Sequence, residues 1–300
     1  MPANQDRFLL AAAALLFSTG GAAIKACTLT GWQIASIRSG IAAVCLLALF
    51  PAARKGWTWR TLVVGLAYAA TLIAFVTATK LTTSANAIFL QSTSPLYLLL
   101  LSPWFLREAV RRVDILTVGG VAAGAVLLLR GSQTAIQTAP NPTRGNLLAL
   151  AAGFFLALTI AGLRALSRRG ESTVSSTVAG NTLAFLICLP PALPIGHIDT
   201  RDVLILLYLG IFQLGLGYLL LTRSLQRISA LEASTLLMLE PVCNPIWSWL
   251  VHRERPSYFA LLGGAVILTT SLASTWWRVR NSASKGIPAS ERSWQYNPPK

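Results

Sequence analysis

Ten runs of about 20 mostly apolar residues divide this 300-residue chain, and all but two of its 35 charged side chains lie at their ends or between them. The runs are Phe8–Ala23, Trp32–Phe50, Thr61–Thr79, Ala85–Leu106, Ile115–Leu129, Gly145–Leu166, Thr173–Ile195, Val203–Thr222, Leu231–Val251 and Tyr258–Trp277. A bilayer core about 30 Å thick needs about 20 apolar helical residues, and lipid forces every spanning segment to satisfy its own backbone hydrogen bonds. A membrane β-barrel would instead alternate apolar and polar residues in short strands. The pattern predicts an all-α membrane protein with ten transmembrane helices. Asp6 and Arg7 before the first run resemble the start of a signal peptide, but no convincing small-residue cleavage site follows, so the run is read as retained.

Composition agrees. Charged residues make up 12% of the chain and hydrophobic residues 54%, against roughly 25% charged in a soluble domain. That excludes a disordered chain, a disulfide scaffold and most soluble enzymes. The net charge of +15 and pI of 10.7 would ordinarily raise a nucleic-acid partner. Here they reflect topology: counted on alternate sides of the runs, 17 Lys and Arg share the side of the termini and seven the other. The positive-inside rule then places both termini in the cytoplasm, excludes nucleic acid as a partner and makes the lipid bilayer one. The tail from 281 to 300 is polar and reads as disordered. The four cysteines are scattered without metal-ligand spacing, and His197 and His252 both lie between runs, so no metal or cofactor is implied.

The chain repeats itself. At an offset of 146, Ala87, Leu90, Pro95, Ser102, Arg107 and Glu108 of the fourth run meet Ala233, Leu236, Pro241, Ser248, Arg253 and Glu254 of the ninth. A Gly pair then opens the next run in each half, Gly119–Gly120 and Gly263–Gly264. Residues 1–130 and 145–280 form the repeats and 131–144 the linker. Five spans per half is an odd number, so the second half enters the membrane inverted. Inverted repeats characterise secondary transporters, whose site lies near the midplane between halves; a duplicated scaffold is the plainer alternative.

The two exceptional charges are Arg38 and Glu240. Glu240 sits roughly 16 Å below the outer end of its run and Arg38 roughly 10 Å, at 1.5 Å per helical residue. A charge at that depth costs at least about 2.5–3.5 kcal/mol, so each needs a partner, a proton or water. Glu240 reads either as a coupling acid or as a stabiliser of the helix break at Pro241. Arg38 pairs with Glu240, holds loosened carbonyls, binds a substrate carboxylate, or snorkels outward. Pro95 and Pro241 each free a carbonyl one turn earlier, which lines a cavity or merely kinks a helix. Candidate binding residues cluster on the same runs. Tyr68, Thr71, Phe75 and Thr79 share one face of the third; Gln91 and Tyr97 lie on the fourth, Phe212 beside Tyr208 and Gln213 on the eighth, and Asn244 and Trp247 on the ninth. Such a set suits a mid-sized zwitterionic or amphipathic molecule. Interhelical packing is the competing reading, and Gly120 with Gly124 reads as close helix packing first and an oligomer contact second, leaving monomer or homodimer open.

The ten-run layout and the repeated Pro, Arg-Glu, Gly-Gly block resemble the drug/metabolite transporter superfamily of the EamA type, over about Phe8–Trp277. Glu240–Pro241, Arg253–Glu254 and Gly263–Gly264 resemble the second-half motif, and Arg38 matches a position where the family often carries arginine. In the first half Ser94 stands where an acid often precedes the proline, so an acidic role would rest on the second half. General similarity is greatest to bacterial exporters of amino acids, the aromatic branch in particular. The resemblance implies a transporter of the bacterial inner membrane. Drugs or other metabolites are the alternative cargo. A channel or an intramembrane enzyme is the remaining class, without a filter repeat, an H-E-x-x-H or a G-x-S-x-G to support it.

Overall fold

Capping explains where several of the helices begin. Thr30 Oγ1 accepts from Gln33 N while Gln33 Oε1 accepts from Thr30 N, and Thr58 pairs with Thr61 in the same way. Thr83, Asn141 and Ser172 cap three more helices with a single side-chain bond each. The computed structural model describes residues 2–105, 112–130, 137–225 and 236–283, and each regular element among them is a helix. Among the described residues, seven helices are long and apolar enough to cross a membrane: Gln5–Ala26, Gly31–Leu49, Trp59–Leu81, Pro142–Arg168, Thr173–Ala192, Thr200–Leu221 and Tyr258–Trp277. They correspond to the first, second, third, sixth, seventh, eighth and tenth predicted runs.

The described parts of the other three runs are shorter stretches of helix. The fourth run is two helices, Ser84–Gln91 and Ser94–Phe105, separated at Ser92–Thr93. Both hydroxyls turn back onto their own helix, Ser92 Oγ donating to Ile88 O at 2.8 Å and Thr93 Oγ1 to Leu90 O at 2.6 Å. Pro95 thus lies in the first turn of a new helix, where its missing N–H is tolerated, and not inside a kinked one. The described part of the ninth run turns at Met238 and continues as Leu239–His252, so Pro241 again follows a break by three residues. Residues 92 and 238 differ by the repeat offset of 146; the break recurs with the sequence. The fifth run contributes an apolar Ile115–Arg130 within the helix Arg112–Arg130. The seventh helix ends at Ala192, short of the expected Ile195, because Pro190, Pro191 and Pro194 remove successive amide donors. The Arg107–Glu108 pair, the start of the ninth run and the tail beyond residue 283 lie outside the described residues.

Packing obeys the inverted repeat. The third span packs on the sixth as the eighth packs on the first; the third meets the seventh as the eighth meets the second; the fourth meets the sixth as the ninth meets the first. The second–seventh and fifth–tenth contacts map onto themselves. Exchanging the halves leaves this list unchanged, which is the signature of two interlocked five-helix units. At the fifth–tenth crossing a Cβ on Gly263 would stand 2.5 Å from Gly124 O, so the two backbones touch and the Gly120–Gly124 pair serves this contact within the chain. Large apolar side chains such as Val44, Leu62, Leu116, Leu147, Leu204 and Leu250 point outward, as a lipid-facing surface requires. Contacts among the described connections gather at two ends. At the linker end the 1–2 corner meets the 3–4, 5–6, 7–8 and 9–10 connections through Lys25 and Thr28; at the opposite, terminal end the 2–3 and 6–7 corners meet through Thr58, Arg60 and Glu171.

Candidate functional site

Arg38 stands two turns into the second span, where the capped start at Thr30 fixes its register. Its side chain is 1% exposed. Two guanidinium nitrogens, Nε and Nη1, have no hydrogen-bond partner among the described residues, although a buried charge normally demands one. Arg38 also lines a cavity of about 510 Å³. The third span contributes Tyr68, Thr71 and Phe75 to it, and the broken fourth span Gln91, Ser92, Ser94 and Pro95. From the second repeat come Thr159, Ser176, Gln213, Tyr218, Glu240, Pro241 and Ser271. Both repeats therefore wall one chamber, and Arg38 and Glu240 are the charged residues in its described lining. No ion pair joins those two; the described ion pairs lie elsewhere.

Three edge-on aromatic rings wall part of the chamber. Tyr218 meets Phe17 at 5.5 Å and Tyr68 at 5.9 Å between ring centroids, favourable geometry for aromatic quadrupoles. Tyr68 and Tyr218 both lie within electrostatic reach of Arg38, and Glu240 within reach of Tyr218. Besides Arg38, three lining residues hold a buried polar atom without a hydrogen-bond partner among the described residues, Ser176 Oγ, Gln213 Oε1 and Ser271 Oγ, while the Tyr68 hydroxyl lies within reach of Tyr218 and Asn181. Thr71 and Thr159 instead satisfy themselves on Ala67 O and Phe155 O and face each other at 3.5 Å. The chamber thus offers a cation, an acid, an aromatic wall and uncommitted hydrogen-bonding groups.

Eight of the thirteen sequence candidates line it: Arg38, Tyr68, Thr71, Phe75, Gln91, Pro95, Glu240 and Pro241. Five do not. Thr79 is fully buried and donates to Phe75 O. Tyr97 packs edge-on against Phe154 at 5.6 Å, and the exposed Phe212 stacks on Tyr208 at 6.1 Å. Asn244 Oδ1 accepts from Ser84 Oγ, and Trp247 Nε1 donates to Ser18 Oγ at 2.8 Å. Both of these ninth-span residues tie helices together instead of facing the chamber.

Tyr218, Thr159, Ser176 and Ser271 are lining residues that sequence reasoning missed. For Tyr218 the cause is local. Tyr208–Leu216 is a π-helix, with bonds closing five residues apart. Tyr218 lies just beyond it, in the α-helix Gly217–Leu225, and lines the chamber with Gln213, Leu214 and Leu221, whereas Tyr208 and Phe212, where counting along the eighth run begins, do not. Glycines seat the π segment: a Cβ on Gly210 would be 2.5 Å from Ile41 and one on Gly215 2.6 Å from Cys45 Sγ.

Along the second repeat the chamber lies toward the terminal end: its lining begins 14 residues from the linker end of the sixth span and comes within five of the terminal end, at Leu163. Along the first repeat it reaches nearer the linker end, to Phe75, six residues from the end of the third span, and to Ile88, four residues into the fourth. In the seventh span it is lined by Ser176 and Thr177, in the first turn or so at the terminal end. Arg38 is seven residues from the linker end of its span.

The model of the EamA-like transporter family matches twice, over residues 7–130 and 143–276. The chain belongs to that family. An uncharacterized transporter of Methanothermobacter thermautotrophicus is 26% identical over 209 residues, a match covering 67% of this chain and 60% of that relative's length. A solved crystal structure shares the fold with a TM-score of 0.62 at 18% identity, covering 93% of this chain and 98% of the other. The family assignment agrees with the two interlocked repeats, and the structural likeness speaks to the fold.

Proposed function

We propose that this EamA-family protein is a secondary-active transporter that exports small metabolites by alternating access, with amino acids bearing aromatic or other apolar side chains as its cargo. One observation carries the reading: a chamber walled by both inverted repeats and fitted with a buried arginine whose donors are uncommitted. A chamber of about 510 Å³ lies within the range of small-molecule sites. Arg38 would take the carboxylate, Tyr68, Phe75 and Tyr218 the apolar side chain, and Glu240 with Gln213 Oε1 the ammonium. Thr71 and Gln91 supply further polar contacts. A drug or another metabolite with an anionic end is the second cargo class, since the same Arg38 and aromatic wall would receive it.

With both termini cytoplasmic in a bacterial inner membrane, the second repeat's wall of the chamber approaches the cytoplasm, in keeping with a loading state for export. Glu240 is in the first turn of its helix, where the macrodipole favours a negative charge and where a proton would be carried if transport is proton-coupled. Counterflow into proteoliposomes with a panel of amino acids, sugars and phosphorylated metabolites tests the reading. Saturable exchange of apolar amino acids is expected; binding or product formation with no solute movement would reject transport. Loss of pH-gradient stimulation in a well-folded Glu240→Gln variant would support the coupling role, and an unchanged gradient response would reject it.

A further inference from the structure

At the linker end a second group of buried charges lies outside the chamber. Lys25, in the last turn of the first span, directs its Nζ at Thr82 O (2.8 Å), at Thr138 O and at Glu254 Oε1 (3.6 Å). Both side chains of the ion pair are almost completely buried, at 5% and 2% exposure. Glu254 Oε1 also accepts from Ser84 N at 3.0 Å, while Oε2 has no partner among the described residues. Ser84 Oγ in turn donates to Asn244. One cluster therefore joins the first span, the 3–4 connection, the segment between the repeats and the 9–10 connection.

Nothing larger than glycine fits beneath it. A Cβ on Gly21 would lie 2.0 Å from Ser84 Oγ and 2.5 Å from Asn244 Oδ1. Next to the cluster, Ile24, Ala85, Ala87 and Ile88 are at most 3% exposed and share one apolar core, and Ile88 is also a wall of the chamber. On the outer side is a separate hollow of about 500 Å³, lined by Lys25, Lys80, Gln137, Thr138, Pro140 and His252. Lys25 is common to the cluster and the hollow. Breaking a buried ion pair is costly unless both charges regain water or another partner, and the hollow supplies that water to Lys25.

We infer that Lys25 and Glu254 are positioning residues for transport: their ion pair latches the linker end shut, and its rupture is an obligatory step in exposing the chamber there. This rests on the alternating-access reading above. In the latched state Lys25 holds four segments of chain in register. Once Glu254 separates from it, the carbonyls of Thr82 and Thr138 and the amide of Ser84 lose a common anchor, and the tight contact over Gly21 can part.

Two measurements on the full-length protein, with the four native cysteines replaced, test this. First, Ser271→Cys places a thiol in the chamber, and a membrane-impermeant methanethiosulfonate reagent is applied from the linker side. Glu254→Gln or Lys25→Met should speed its labelling at least tenfold, and the swap Lys25→Glu with Glu254→Lys should slow it again. Unchanged labelling in a folded single variant would overturn the latch. Second, Lys25→Cys with Glu254→Cys is joined by a short bifunctional thiol reagent in proteoliposomes. Exchange should fall at least tenfold and return on reduction; wild-type exchange at full crosslinking would overturn the proposal even if the charge variants fail to fold. The labelling arm needs no solute movement. A wild-type protein that moves nothing yet shows the labelling shift would reject the transport reading and leave the latch standing.

Discussion

The two ends of the molecule carry related joints but relate differently to the chamber. At the linker end, Thr28 N and Oγ1 both donate to Asp202, tying the 1–2 corner to the start of the eighth span. At the terminal end, Glu171 in the 6–7 corner accepts from Thr58 Oγ1 at 2.6 Å and from Arg60 at 3.0 Å, tying that corner to the start of the third span. Exchanging the halves turns one joint into the other, with the acid moved from helix start to corner. Along the eighth span the chamber lining stops at Gln213, 11 residues from Asp202 of the first joint, while along the seventh it reaches Ser176, within a turn or so of the second. A contact repeated at both ends cannot decide which end is shut. The corner joints are therefore expected to act as hinges, with the asymmetry in the layer between joint and chamber, where Lys25 and Glu254 sit.

The largest expected effect comes from breaking that layer. Lys25→Met leaves a buried carboxylate with one backbone donor, and removal of one partner from a buried pair typically costs about 3–5 kcal/mol. Burial already pushes the Glu254 carboxyl upward against the attraction of Lys25. A large fall in thermal unfolding temperature in detergent is expected, relieved in part by Glu254→Gln added to Lys25→Met. A substitution at Arg38 ranks next and should act on the other side of the comparison. Losing charge-assisted bonds to a carboxylate costs about 1.5–3 kcal/mol, or about 10- to 150-fold in affinity. Arg38→Ala should therefore raise the half-saturation concentration for exchange of carboxylate-bearing cargo by that factor, with linker-side labelling unchanged. Gly124→Leu follows, at about 1–3 kcal/mol from overpacking the backbone contact with Gly263. It should lower the unfolding temperature without altering which cargo is bound.

Much of this architecture was legible in the residues because lipid punishes misplaced charge. Span number, repeat offset and the exceptional status of Arg38 and Glu240 all follow from that rule, and the structure brings those two charges to one chamber. The polar candidates were harder, because an uncharged side chain such as Asn244 is as useful between helices as facing a ligand. Its neighbour across the contact is Gly21, and only the packing of the first span against the ninth shows that no room remains for cargo there. Tyr218 follows a π-helix, whose wider winding shifts the register of a 3.6-residue count begun at Tyr208 and Phe212. Lys25 and Glu254, 229 positions apart, looked like ordinary boundary charges. Their burial depends on four chain segments meeting, a long-range fact that local pattern does not encode.

The smallest expected effect concerns the terminal joint and sharpens its status as a hinge. Hydrogen bonds from Thr58 and Arg60, with the attraction of Arg60 and Arg169, hold the Glu171 carboxyl below its ordinary value. A carboxyl with a depressed folded-state pKa contributes stability that is fully present above its unfolded value, about 4.3, and is lost as pH falls through the lower folded value. The Arg60 side chain is 41% exposed, so solvent and salt screen the pair and its contribution is slight. Glu171→Gln should lower the unfolding temperature at pH 7 by less than the Gly124 substitution does, and the difference from wild type should shrink as pH drops below 4.3 and as salt is raised. For a joint that acts as a hinge and holds whichever end is closed, linker-side labelling of Ser271→Cys should not change in this variant. A labelling shift as large as that from Glu254→Gln would move the switch from the latch to the corner.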